Sequence, residues 1–155
     1  MKVLAAAACV AGLATVAVIA LPATGSAPAG HAFFAKLSGE HGPAPDADVD
    51  GYGTFSAGFS GTKLCYGLQV FKIGNPNAAH IHQAGVNADG PIKVPLTAPA
   101  SGLAGASSGC VTLTATLANQ IKANPAAYYV NVHNGTYPAG AVRGQLFQAT
   151  AAQDK

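Results

Sequence analysis

The chain has 155 residues, half of them apolar and only 9% charged, with a formal net charge of +2. That length suits one domain with its own core, and so weak and scattered a charge excludes a basic nucleic-acid-binding face and an acidic tail. Abundant glycine, alanine, serine and threonine favour short strands joined by tight turns.

In chain order, Lys2 gives a minimal positive start and Val3 to Leu21 runs apolar without a charge. Ala27-Pro28-Ala29 then offers small residues at the positions a signal peptidase reads, which predicts cleavage after Ala29. No Lys/Arg cluster follows as a stop-transfer flank, so the segment reads as removed rather than as an anchor. The expected organisation is a signal peptide over 1–29, one β domain over 30–148 and a disordered tail over 149–155. The product is expected to be secreted, periplasmic or extracellular, and free of the membrane after cleavage. Removing Lys2 leaves seven Lys/Arg against six Asp/Glu.

The mature part has a period of two. His31 to Leu37 is a first strand, followed by a Pro/Asp-rich loop over Glu40 to Asp50. Tyr52 to Phe59 and Lys63 to Ile73 form a hairpin about Ser60-Gly61-Thr62. Gly74 to Asn77 breaks the chain, Ala79 to His82 is a short extended piece, and Gly85 to Gly90 turns into Ile92 to Leu96. Pro99 to Gly109 reads as a loop before a strand from Cys110 to Thr114. Thr116 to Ala123 alone looks helical, stopped by Asn124-Pro125. Tyr128 to His133 and Ala141 to Phe147 close the domain as a hairpin. The fold class is all-β, an immunoglobulin-like or Greek-key β-sandwich or barrel with one short helix.

Once Cys9 leaves with the signal peptide, Cys65 and Cys110 remain, and an even count in an oxidising compartment predicts one disulfide. Leu64, Tyr66, Leu68 and Val70 alternate inward, as do Val111 and Leu113, so both cysteines face outward where a bridge does not compete with the core.

The histidines carry the chemistry. His80 and His82 are two apart in an extended segment, so both rings leave one face while Ile81 points inward. His133 ends a strand whose Val130 and Val132 pack inward, and its ring shares a face with Asn131. Three neutral imidazoles from two strands can converge on one copper or zinc ion. A symmetric closing hairpin sets Asn131 opposite Arg143, the only arginine. Its guanidinium then either steers a small anion towards a metal or ties down loop carbonyls.

Phe34-Ala35-Lys36-Leu37-Ser38-Gly39, Ala79-His80-Ile81-His82, Gly90-Pro91-Ile92, Tyr129 to His133 and Pro138 to Leu146 together resemble the CHRD (chordin-type) domain, over nearly the whole mature chain. The resemblance implies an immunoglobulin-like β-barrel distantly similar to copper/zinc superoxide dismutase, in the form of a single-domain secreted bacterial protein. By that likeness His80, His82 and His133 match a copper site and Arg143 the arginine beside it. The zinc ligands and the bridging histidine have no counterpart, since only Asp89 offers itself between Gln83 and Asn131. The implied function is a secreted copper-binding protein with a mononuclear three-histidine site, redox-active towards superoxide in its narrower version. The alternative is a non-catalytic extracellular module that binds a protein partner, with histidines that are structural.

Copper stands first among cofactors, ahead of zinc and calcium. Asp46-Ala47-Asp48-Val49-Asp50-Gly51 opens like a calcium loop, but Ala57 stands where such a loop needs glutamate. His31 and His41 receive no role. No nucleophile–base pair, phosphate loop or paired carboxylates point to a hydrolase or transferase.

Overall fold

The computed structural model describes residues 32–39 and 47–149. The expected signal peptide, His31, His41, Asp46 and the expected tail beyond Ala149 lie outside the described residues. Ala32–Ser38 (β1), Tyr52–Ser60 (β2) and Lys63–Phe71 (β3) form an antiparallel meander. Alternation decides which side each residue takes. In β3, Leu64, Tyr66, Leu68 and Val70 are buried while Lys63, Cys65 and Gln69 are exposed. The β2–β3 turn needs only Gly61 and Thr62, and Gly61 adopts φ 62°, a left-handed conformation that costs glycine little.

The remaining strands among the described residues are Pro76–Gln83 (β4), Ile92–Leu96 (β5), Ala104–Thr112 (β6), Tyr128–Asn134 (β7), Val142–Gln145 (β8) and Phe147–Gln148 (β9), with one α-helix, Ala115–Ala123 (α1), and a 3-10 turn over Pro125–Ala127. The hydrogen-bonded order is β5-β4-β7-β8-β1-β2-β3-β6, and β9 also pairs with β1. The sheet curls into a nearly closed antiparallel barrel of the all-β class expected. The two end strands meet through side chains: Thr97, just after β5, accepts a bond at its carbonyl from Ser107 Oγ of β6 at 2.7 Å, and its amide donates to the Tyr66 hydroxyl at 2.7 Å. Leu37, Leu68, Val70, Ile81, Val94, Val130 and Val132 fill the interior with no exposed surface. One end is covered by α1, capped by Thr114 Oγ1, which accepts from the Leu117 amide. Its Ile121 is buried and its Lys122 donates to Gly61 O at 2.7 Å.

Three elements differ from the sequence reading. Residues 104–109 are strand rather than loop: Ala-Gly-Ala-Ser-Ser-Gly has little intrinsic β preference, but β6 pairs with β3 over nine positions and tertiary pairing overrides propensity. β4 begins at Pro76 rather than Ala79, because proline is tolerated at a strand's first residue and a bulge follows before Ala78. The last strand is split at Leu146, with β8 held by β7 and β9 by β1. Gly144 permits this join, since a Cβ there would stand 2.0 Å from Lys36 O.

Cys65 and Cys110 stand directly opposite each other in the β3–β6 register, both exposed, and are disulfide-bonded. A bridge spanning 45 residues of sequence contributes about 2–4 kcal/mol. Reduction is therefore expected to lower the melting temperature by roughly 10–20 °C. Calorimetry with and without reductant checks this, and an unchanged melting temperature would show that the pairing contributes nothing.

Candidate metal centre

The site is built on β4, β7 and β8, three neighbours in the sheet. Ala79 and Ile81 of β4 are fully buried in the barrel, so His80 and His82 stand on its outer face. The register sets His80 opposite Asn131 and His82 opposite Tyr129, and on the other side of β7 sets Asn131 opposite Arg143. That last pairing is the one the hairpin arithmetic predicts. His133 completes the group on β7.

An outward side chain should be exposed, yet His82 is only 8% exposed. The reason is the β4–β5 loop, residues 84–91, which folds back over the face. Gln145 Nε2 donates to Ala84 O at 2.6 Å, Arg143 Nη2 donates to Ala88 O at 2.8 Å, and Arg143 Nη1 pairs with Asp89 at 3.1 Å. The Gly90 amide donates to the Tyr129 hydroxyl at 3.3 Å. Only glycine fits at 90, because a Cβ would lie 2.0 Å from Gln83 O.

These contacts fix which nitrogen of each imidazole carries the lone pair. His82 Nδ1 lies 2.9 Å from Gly90 O and His133 Nδ1 lies 3.0 Å from Pro138 O. A carbonyl only accepts, so both Nδ1 atoms carry the proton and both Nε2 atoms are free to ligate. His82 Nε2 is buried without any hydrogen-bond partner, a state that costs about 1–3 kcal/mol. His133 Nε2 accepts from His80 Nδ1 at 3.3 Å, so His80 carries its proton on Nδ1 and its lone pair on Nε2.

Two nitrogens bound tetrahedrally to one ion at about 2.0–2.1 Å are about 3.4 Å apart, so the His80–His133 pair already has ligand spacing. One ligand atom from each of His80, His82 and His133 lies within 4.8 Å of the others, and no other three of the His, Cys, Asp and Glu side chains among the described residues come together in this way. The carbonyl partners of His82 and His133 are the outer-shell contacts that metal-binding histidines use. The donor set therefore fits an ion. His80 and His133 are half-buried, which leaves one side open to solvent.

Arg143 is 6% exposed and its guanidinium carbon stands 3.6 Å from the centre of the Tyr129 ring. That ring stacks on His82, centroids 4.9 Å apart and planes 11° from parallel. Of the two roles open to Arg143 in the sequence, the loop-tying contacts are the ones formed. Asp89 pairs with Arg143 and stands outside the histidine grouping. The half-motif for calcium includes Asp46, outside the described residues; within it, the Gly51 amide donates to Asp48 O at 2.9 Å.

Burial holds the His80 and His133 imidazoles below the usual 6.5, helped in each case by neighbouring histidine charge, while the Pro138 carbonyl partly offsets this at His133. Depressed values mean that the neutral, ligating form persists into more acidic solution than for free imidazole. Metal affinity measured across a pH series is expected to hold through 6.5 and fall only below it. The same shifts make the metal-free fold less stable as pH falls below 6.5, because the unfolded chain then binds protons that the folded cluster resists. Loss of binding already above that pH would show that the two imidazoles titrate as if free.

Sequence reasoning missed Tyr129, Gly90 and Gln145 as parts of the site. All three stand in the strings that carry the family resemblance, Gly90-Pro91-Ile92, Tyr129 to His133 and Pro138 to Leu146, but no spacing or pattern there assigns them a contact. The CHRD domain family model matches residues 33–146, which includes every residue of the cluster and its loop. No curated protein and no solved structure matches the chain.

Proposed function

The chain belongs to the CHRD-domain family, and from that premise we propose that it is an exported single-domain protein whose histidine cluster holds one copper ion. The buried, partnerless Nε2 of His82 carries this reading, because a lone pair buried beside two other imidazoles is stabilised by a cation held among them. The absence of thiolate or carboxylate from the grouping favours copper, which also binds nitrogen ligands more tightly than zinc does. Export is supported by the apolar N-terminal segment and by the disulfide, which persists in oxidising compartments.

His82 and His133 present Nε2, with each Nδ1–H held by a backbone carbonyl, and His80 joins them through Nδ1 after the proton it donates to His133 Nε2 shifts to its own Nε2. When bound, copper supplies one-electron chemistry at whatever position the protein leaves open. The loop keeps water from His82, while the half-buried His80 and His133 leave an approach for a small molecule. Reaction with superoxide is the narrower form of the proposal. In that form Arg143 contributes little steering, since its charge is paired with Asp89.

The test is to purify the protein from an oxidising compartment, measure its metals by mass spectrometry, and titrate the stripped protein with Cu(II) by calorimetry. One copper per chain is expected. No stoichiometric uptake of any metal would overturn the reading and leave the histidines structural, as in an interaction module.

A further inference from the structure

Strands β1, β2, β3 and β6 carry none of the histidine cluster, and their outer face has its own chemistry. Tyr52 stands opposite Phe71, and their rings stack with centroids 5.0 Å apart. Phe34 and Phe147, on the paired β1 and β9, lie 5.9 Å apart. Tyr52 is 47% exposed and Phe147 51%, so each pair offers a rigid, half-uncovered aromatic wall.

Between the walls the floor is small and polar. Gly67 has Ser56 on one side and Ser108 on the other in the register, and next to this row Thr54 faces Gln69. These side chains are exposed or border on glycine. None of Thr54, Ser56, Gln69 and Ser108 uses its side chain in a hydrogen bond among the described residues. Three depressions of about 450, 430 and 360 Å³ cover the face; the first two share Ser56 and Gly67, the first and third share Thr54, and the second and third share Phe34. Lys36 is the one charged residue lining them.

We infer that this face binds a neutral polysaccharide. Aromatic rings take the apolar C–H faces of sugar rings, and unengaged hydroxyl and amide groups take their hydroxyls. A nearly uncharged floor excludes polyanions and acidic peptides, which need clustered cations. Four strands are about 14 Å across, room for a short run of sugar rings. The rings are held by stacking and the floor is backbone-rigid, so little order is lost on binding. This surface is independent of the metal reading.

Affinity electrophoresis in hydroxyethyl cellulose, with pull-down on insoluble cellulose and chitin, tests the inference on the disulfide-bonded protein. Retention on at least one is expected, insensitive to salt and unchanged in His80→Ala. Tyr52→Ala is expected to weaken it about tenfold and Gln69→Ala by a smaller factor. Because Tyr52 is half-exposed, the variant should fold, and its circular dichroism and melting temperature verify that. Retention on none of the three polymers overturns the inference, as does retention undiminished in Tyr52→Ala. Self-association that Tyr52→Ala abolishes would overturn it too, by assigning the face to a second copy of the chain.

Discussion

Replacing His82 with alanine is expected to lower copper affinity by more than about 100-fold, since altering even an outer-shell partner of a ligand typically costs 10–100-fold. His82 is the ligand least able to be substituted. Its Nε2 is buried, its Nδ1–H is held by Gly90 O, and the Tyr129 ring lies flat against it, so water cannot readily take its place. His80→Ala and His133→Ala are expected to act in the same direction but less severely, because both positions are open enough for water to serve as a substitute ligand. The measurement is melting temperature with and without Cu(II). An ion at 100 times its dissociation constant stabilises a fold by about 2.7 kcal/mol, roughly 10–20 °C for a domain of this size. Wild type should show that rise and His82→Ala should not. A purely structural His82 gives a different pattern: the metal-free melting temperature falls on substitution, and copper raises neither protein. That pattern would refute the metal site.

Much of this arrangement was legible in the sequence because it depends on alternation. The inward set Leu64, Tyr66, Leu68 and Val70 fixes the outward face of Cys65, and Ile81 between two histidines fixes theirs. The Asn131–Arg143 pairing followed from a loop assumed to close symmetrically. β6 was illegible before Cys110 because Ala104 to Gly109 has no apolar alternation; its strand conformation is imposed by β3. The covering loop was illegible for a different reason. Apart from Asp89, residues 84–91 act through backbone groups, the carbonyls of Ala84, Ala88 and Gly90 and the Gly90 amide, and such groups are present at nearly every residue, so no side-chain pattern marks those that matter. Hence the histidines could be found without the contacts that set their tautomers.

Those contacts make Arg143 a positioning residue, and Arg143→Gln is expected to weaken copper binding about 10–100-fold although the guanidinium belongs to no ligand set. The chain of cause is short. Arg143 holds Ala88 O and Asp89, the next residue is Gly90, and the Gly90 carbonyl keeps the proton of His82 on Nδ1. Without the guanidinium the loop loses two of its bonds and the cation over Tyr129, and the Gly90 carbonyl no longer has a fixed place. Asp89→Asn should cost less, since that carboxylate is 77% exposed and an ion pair with one partner in water contributes little. Arg143→Lys should behave nearly as badly as Arg143→Gln, because an ammonium cannot reach two acceptors in the planar fork and stack at once. The readout that separates positioning from general destabilisation is the His82 ring itself. Nitrogen NMR of the metal-free protein should show one tautomer, protonated at Nδ1, in wild type and a mixture in Arg143→Gln at a temperature where both are folded. An unmixed tautomer with unchanged copper affinity would refute the positioning role. If reaction with superoxide then slowed, and slowed less as salt was added, the guanidinium would be steering anions despite its pairing with Asp89.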